Sequence, residues 1–278
     1  AGRVHPAVLA AAKLIEADAV FRIGGAHALA AFAFGTASIP KVDMLAGPGG
    51  SYVVVAKRLL YGVVGVDLLP GPSEIFIIAD ESADPFIVAS DMLAQAEHGE
   101  DSVAILATPE DELIDATREA LVKLLESSPR RKLIAQALSQ FGAFIRTRNL
   151  DEAVEICNQY APEHVELLVA DAFTTAMSIQ HAGAVFIGAN SPVVAGDYMA
   201  GPSHVLPTGG AARFLSGLSP ATFTKCVHYV ALSREDMEGL ADAVMQFAEL
   251  EGLHCHANAM RLRLTHFNAP KAMNKGGC

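Results

Sequence analysis

A carboxylate and an imidazole stand side by side in Ala161-Pro162-Glu163-His164. Imidazole titrates near neutral pH and a carboxylate accepts protons, so the pair has the chemistry of an acid/base dyad. Pro162 disfavours helix at Ala161 and cannot donate to a strand ladder. The pair is therefore expected at a junction, after a helix-like stretch from Asp151 to Tyr160 and before a strand-like one from Val165 to Val169. A second group, Gln95-Ala96-Glu97-His98, closes another helix-like stretch. Positions three apart share a helix face, so Gln95 and His98 can point into one cleft. Histidine suits zinc, and glutamine is an unusual but workable oxygen ligand. Asp197, between Gly196 and Tyr198 after an apolar strand, is a third donor candidate, and His254 or His256 beside Glu251 is a fourth. Each feature has a plainer explanation: a solvated loop pair, a histidine compensating a helix C-terminus, a turn-forming or N-cap aspartate. Only a fold can bring residues this far apart together.

The elements that must position them alternate along the chain. Pro6 to Glu16 reads as helix, Ala19 to Ile23 as strand, and Gly24-Gly25 opens a second helix ending near Gly35. Val42 to Ala46 repeats the arrangement, with Gly47-Pro48-Gly49-Gly50 leading into the helix Tyr52 to Tyr61. Strands follow at Val64 to Leu68, Ile75 to Ala79, Val103 to Ala107, Ala143 to Arg146, Val165 to Val169 and Ala184 to Ile187. Between them lie helices at Asp84 to His98, Pro109 to Glu126, Arg130 to Gln140, Leu150 to Tyr160 and Ala170 to His181. Such alternation implies α/β layers with mainly parallel strands, where ligands bind beyond the carboxyl ends of the strands. We expect two Rossmann-like units, the first incomplete, over residues 1–74 and 75–217, divided near Gly71-Pro72-Ser73-Glu74. A helical segment over 218–278 should follow, with two helices broken at Gly252 and a loose tail from Thr265 to Cys278. The two glycine turns could cradle a dinucleotide phosphate at a helix N-terminus, or be tight connections. Neither matches GxGxxG, and Asp43 falls at the start of a strand rather than at its end.

Composition narrows the function classes. Of 278 residues, 51% are hydrophobic and 18% charged, with a net charge of −11. That balance fits a globular enzyme and argues against nucleic acid or an anionic membrane, since phosphate recognition draws on Lys and Arg. Ala28 to Phe34 is far short of a membrane span, so a soluble, cytoplasmic protein is expected. Cys157, Cys226, Cys255 and Cys278 show no CxxC spacing, which argues against a disulfide framework or a Cys-rich zinc module. The chain enters its first helix almost at once after Ala1, as if more sequence preceded it.

Several runs, in order, resemble the motifs of the histidinol dehydrogenase family: Val4 to Ala12, Gly24-Gly25-Ala26, Ala46 to Lys57, Gly71 to Glu74, Gln95 to His98, Ala161 to His164, Gly196 to Tyr198, His204 to Thr208, and Glu251 to His256. The resemblance extends from Val4 to Leu264 and implies zinc- and NAD-dependent oxidation of L-histidinol, through the aldehyde, to L-histidine. By that resemblance Gln95, His98, Asp197 and His256 hold zinc, His164 removes the alcohol proton, and Glu163 activates water at the aldehyde stage. Ser73, His204 and Glu251 join the zinc ligands and His164 around the substrate, an amino alcohol. His27 and Gly50 fall at positions associated with NAD. A homodimer is implied, with the C-terminal segment crossing so that Glu251 and His256 complete the neighbour's site.

This sequence departs from the family pattern in three places. His27 replaces a usual glutamine, Gly50 a usual asparagine, and Val193 a substrate-pocket glutamate. An N-terminal portion of the family fold is also absent, so the chain reads as a fragment or a shortened homologue. The departure at Val193 fits relatives that oxidise other polar alcohols such as sulfopropanediol. The altered NAD positions would fit a non-catalytic metal-binding or subunit-partner protein.

Overall fold

A run of six fully buried residues, Glu74–Ala79, marks the centre of the molecule's main sheet. The computed structural model describes residues 3–266, and its contacts divide the chain into two units, Ala1–Thr224 and Lys225–Cys278. Most of the tail expected from Thr265 to Cys278 lies outside the described residues.

The first unit begins with α1 (Pro6–Leu14), whose first turn is capped by the His5 ring accepting from the Ala7 N–H at 3.2 Å. Then come α2 (Gly25–Phe34), β1 (Met44–Leu45), α3 (Ser51–Leu60) and β2 (Gly65–Val66). The two short strands pair in parallel, Met44 opposite Gly65 and Leu45 opposite Val66. Ala33, Leu45, Leu60 and Val64 form a small core with Leu29, Phe32, Val42 and Val66. The strand expected at Ala19 to Ile23 does not form: the segment lies outside helix and sheet, with Val20 and Ile23 exposed. An apolar run becomes a strand only where a neighbour takes up its backbone groups.

The larger part of the first unit runs β3 (Glu74–Ala79), α4 (Pro85–Ala96), β4 (Val103–Thr108), α5 (Asp111–Glu126), α6 (Arg131–Phe141), β5 (Gly142–Arg146), α7 (Leu150–Tyr160), β6 (His164–Leu168), α8 (Ala172–Ala176), β7 (Ala184–Ile187) and α9 (Val193–Tyr198). All five strands are parallel, in the order β5-β4-β3-β6-β7. Parallel strands are covered on both faces, which is why they read as continuous apolar runs. Phe76, Ile78, Val165 and Leu167 pack on one side with Ala153, Val154 and Cys157 of α7. Ile75, Ile77, Ala79 and Leu168 pack on the other with Val88 and Met92 of α4. Two helices fall short of or outside expectation. The stretch Ala170 to His181 is helical only over α8, and Asp197 sits in α9, within a short helix rather than in a turn after a strand.

The order of this sheet reverses between β3 and β6, the place where a crevice opens beyond the carboxyl ends of strands. Here Asp80 closes it. Its Oδ2 accepts from Ala170 N at 2.8 Å, and its Oδ1 accepts from the Ser82 N–H at 2.9 Å and the Ser82 hydroxyl at 2.5 Å. The candidate residues gather instead at the opposite, amino end, which corrects the expectation of a carboxyl-end site.

In the second unit, Ser233 and Asp236 form a capping box that starts α10 (Arg234–Leu250). Gly252, at φ +73°, breaks the chain before α11 (His254–His266), as the sequence indicates. α10 and α11 pack together, burying Met237, Ala241, Ala248 and Ala257.

Candidate active site

Helix α7 ends on Ala161, a non-glycine residue in the left-handed region at φ +56°, and Pro162 prevents the helix from continuing. This turn delivers Glu163 and His164 to the start of β6. Parallel pairing sets Ile75 of β3 opposite His164, so Glu74 at the head of β3 meets the dyad. A reciprocal clasp results: the Glu74 N–H donates to Glu163 Oε2 at 3.0 Å, and the Glu163 N–H donates to Glu74 Oε2 at 3.3 Å. Glu74 Oε1 accepts from Gly209 N at 3.0 Å, and the Tyr160 hydroxyl also bonds to this carboxyl.

The same residue orients the histidine. His164 Nδ1 lies 2.9 Å from the Glu74 carbonyl and 3.5 Å from Glu163 Oε2, so its N–H belongs to the carbonyl. That leaves Nε2 with a lone pair, 4.0 Å from Asp197 Oδ1. Burial pushes the His164 pKa down, favouring the neutral ring that can accept a proton. Burial pushes Glu163 up to about 7, with the charges of Glu74 and Asp197 adding to the rise and hydrogen bonds from Glu74 N and Ser73 opposing it. Burial likewise raises Glu74, and burial with the Glu74 charge raises Tyr160 to about 12. Two bases with opposed shifts therefore share one cleft.

The cleft, about 240 Å³, is lined by Ser73, His98, Glu163, His164, Asp197 and His204, with Pro48 and Gly49 of the glycine turn forming part of its wall. His98 follows the last turn of α4. Its Nδ1 is 3.2 Å from the Ala94 carbonyl, and its Nε2 is 3.9 Å from Asp197 Oδ2. Two ligands of one tetrahedral zinc lie about 3.4 Å apart, and a carbonyl on the other ring nitrogen is the usual support of a metal-bound histidine. Gln95, one turn back on α4, is 2% exposed, and its amide nitrogen has no hydrogen-bond partner. The spacing of His98 and Asp197 fits two ligands of one zinc ion; of Gln95 it is the amide oxygen, and not the unpartnered nitrogen, that a metal would take. Among the described residues no cluster of three His, Cys, Asp or Glu is itself arranged for a metal; the first unit contributes one histidine, one aspartate and a glutamine. Glu251 and His256 lie on the second unit, Glu251 at the end of α10 and His256 in the first turn of α11, both exposed. His254 is engaged with Glu249 at 2.7 Å.

His27 and Gly50 occupy two helix starts. His27 lies in the first turn of α2, and Gly50 is the N-cap of α3. Neither start has a side-chain cap, and Gly24, Gly25 and Gly50 face open space where a Cβ would stand. Free backbone N–H groups at a helix N-terminus suit the pyrophosphate of a dinucleotide. Val193 packs into the apolar core with Val88 and Met92, one helical turn before Asp197. In the sequence Glu74 belongs to the Gly71 to Glu74 motif with no role assigned to it. Its signal was a lone charge at the head of an otherwise apolar buried strand.

A profile of the histidinol dehydrogenase family matches residues 1–264. The chain is 45% identical over 269 residues to a histidinol dehydrogenase of Gloeobacter violaceus, covering 97% of this chain and 60% of that protein. It is 47% identical over 261 residues to that of Thermus thermophilus, covering 94% of this chain and 63% of the relative. A crystal structure of histidinol dehydrogenase from Elizabethkingia anophelis superposes with a TM-score of 0.90 at 36% identity, covering 97% of this chain and 62% of that one. The chain thus spans about 60% of the length of these relatives.

Proposed function

We propose, since the chain belongs to the histidinol dehydrogenase family, that it carries the proton-transfer and metal-binding portion of an NAD-dependent oxidation of L-histidinol to L-histidine. The observation that carries this reading is the pairing of two differently tuned bases beside a metal-competent His98 and Asp197. His164 takes the alcohol proton at Nε2, while the Glu74 carbonyl holds Nδ1 and stabilises the imidazolium that forms. Glu163, near neutrality, draws a proton from the water that adds to the aldehyde. Gln95, His98 and Asp197, with His256 from the exchanged segment of a second copy, would hold zinc, and Ser73 and His204, with Glu251 from that same segment, would line the substrate. Bound NAD supplies a hydride acceptor and bound zinc a cationic anchor for the amino alcohol; the helix starts bearing His27 and Gly50 would seat the dinucleotide.

A homodimer with an exchanged C-terminal segment is part of the same reading. What supports it is the exposed apolar row Leu240, Val244 and Phe247 on α10. No helix among the described residues is long and apolar enough to cross a membrane, and the charge of −11 speaks against nucleic-acid partners. A second reading, oxidation of another polar alcohol, rests on Val193, which places no charge one turn before Asp197. The test is NADH formation by the zinc-loaded protein from L-histidinol and, in parallel, from 2,3-dihydroxypropane-1-sulfonate. Turnover of L-histidinol that is lost to a chelator and restored by zinc is expected. No turnover at millimolar L-histidinol with zinc present overturns the reading, and turnover of the sulfonate alone establishes the second.

A further inference from the structure

Lys57 of α3 and Asp67, just after β2, form an ion pair at 2.5 Å with 2% and 0% of their side chains exposed. The neighbouring core is small, four buried apolar residues and their surroundings. Burying two charges there is not an efficient source of stability, because desolvation offsets the attraction and apolar residues of similar volume do as well or better. The pair's other hydrogen bonds show what it accomplishes. Asp67 Oδ2 accepts from the Gly47 N–H at 2.8 Å, and the Lys57 ammonium donates to the Gly47 carbonyl. The remaining contact is to the Leu68 carbonyl at 3.4 Å. Both backbone groups of one residue are thus held by the two members of one ion pair. That residue has φ +127°, a conformation that a side chain opposes, and the next two residues, Pro48 and Gly49, form a wall of the catalytic cleft.

We infer that Lys57 and Asp67 are positioning residues: the ion pair fixes the Gly47 turn so that the Pro48-Gly49 wall closes on the ligand beside His98, Glu163 and His164. It acts on ligand binding and leaves the proton chemistry of the dyad alone. The inference rests on the proposed function in so far as the ligands are NAD and L-histidinol; the holding of the turn does not.

The experiment compares the zinc-loaded wild type with the double variant Lys57→Met/Asp67→Leu, which keeps volume and removes both charges, and with Lys57→Arg, which keeps the charge. Thermal unfolding, amide hydrogen exchange at Gly47, and kcat and KM for NAD and L-histidinol between pH 6 and 9 are measured. The double variant should unfold near the wild-type temperature while the Gly47 amide exchanges at least tenfold faster. Its KM should rise on the order of tenfold, the equivalent of one lost well-placed interaction, with the pH profile unchanged and Lys57→Arg recovering part of the loss. Unchanged exchange at Gly47 in a folded double variant overturns the inference, as does faster exchange with unaltered KM. If the double variant does not fold, the nearly isosteric Asp67→Asn takes its place with the same expectations, and unchanged Gly47 exchange in it also overturns the inference. Absence of turnover in the wild type would instead refute the proposed function and leave the exchange result to judge the turn.

Discussion

Replacing Glu163 with glutamine removes a carboxyl whose protonation is set by burial, and the consequence has a definite sign. Glu163 is moved from its ordinary 4.5 to about 7. Between those values the folded protein keeps a proton that the unfolded chain has released. The stability contribution is therefore fullest below pH 4.5 and is lost as pH rises through 7. At about 1.4 kcal/mol for each tenfold change, a carboxyl displaced this far corresponds to roughly 3 kcal/mol. Glutamine cannot ionise, yet its side-chain oxygen can still accept from the Glu74 N–H. Urea unfolding of both proteins at pH 4.5, 6, 7 and 8 should start from similar stabilities. The difference should then grow by about 3 kcal/mol in favour of Glu163→Gln by pH 8. The same proton governs catalysis: the aldehyde step of the wild type should rise about tenfold from pH 6 to 8 and level off, while Glu163→Gln stays flat and on the order of 10²–10⁴ slower. Two stability curves that run parallel across this range would refute the buried-base account.

Two further perturbations probe the surroundings. Glu166 of β6 and Asp91 of α4 are buried carboxyls that act on each other in the core; burial, reinforced by the Asp91 charge, raises Glu166 to about 9, and burial raises Asp91. A raised acid loses its contribution as pH climbs through that value, so wild-type stability should fall between pH 7 and 10 while Glu166→Gln declines less; equal declines in urea unfolding would contradict a proton retained on Glu166. Gly183 precedes β7, and a Cβ there would stand 2.5 Å from the Glu163 carbonyl oxygen. Gly183→Ala should cost about 1–3 kcal/mol and lower kcat by displacing Glu163. An unaltered melting temperature with full activity would show that the junction yields.

Much of the first unit's sheet was legible because parallel strands buried on both faces announce themselves as apolar runs, as β3, β4 and β6 do. The segment from Ala19 to Ile23 has the same composition and forms no strand, since composition does not supply a neighbour. Asp197 looked like a turn residue because Gly196 beside it masks a helix only six residues long. The dyad and the donors His98 and Asp197 could be named from residue type and resemblance. The role of Glu74 could not, because it arises from the pairing of Ile75 with His164 across a long stretch of intervening chain. Likewise nothing local in Gly47 foretold that Lys57 and Asp67 would hold both of its backbone groups.

The placement of Glu163 and His164 at the head of β6 makes strand register a condition of function. Side chains alternate faces along a strand, so a slip of one residue against β3 would turn His164 away and part the Glu74 clasp at once. A misregistered or half-assembled sheet therefore holds no weakened form of the site. It holds none, and activity can serve as a direct count of correctly folded molecules.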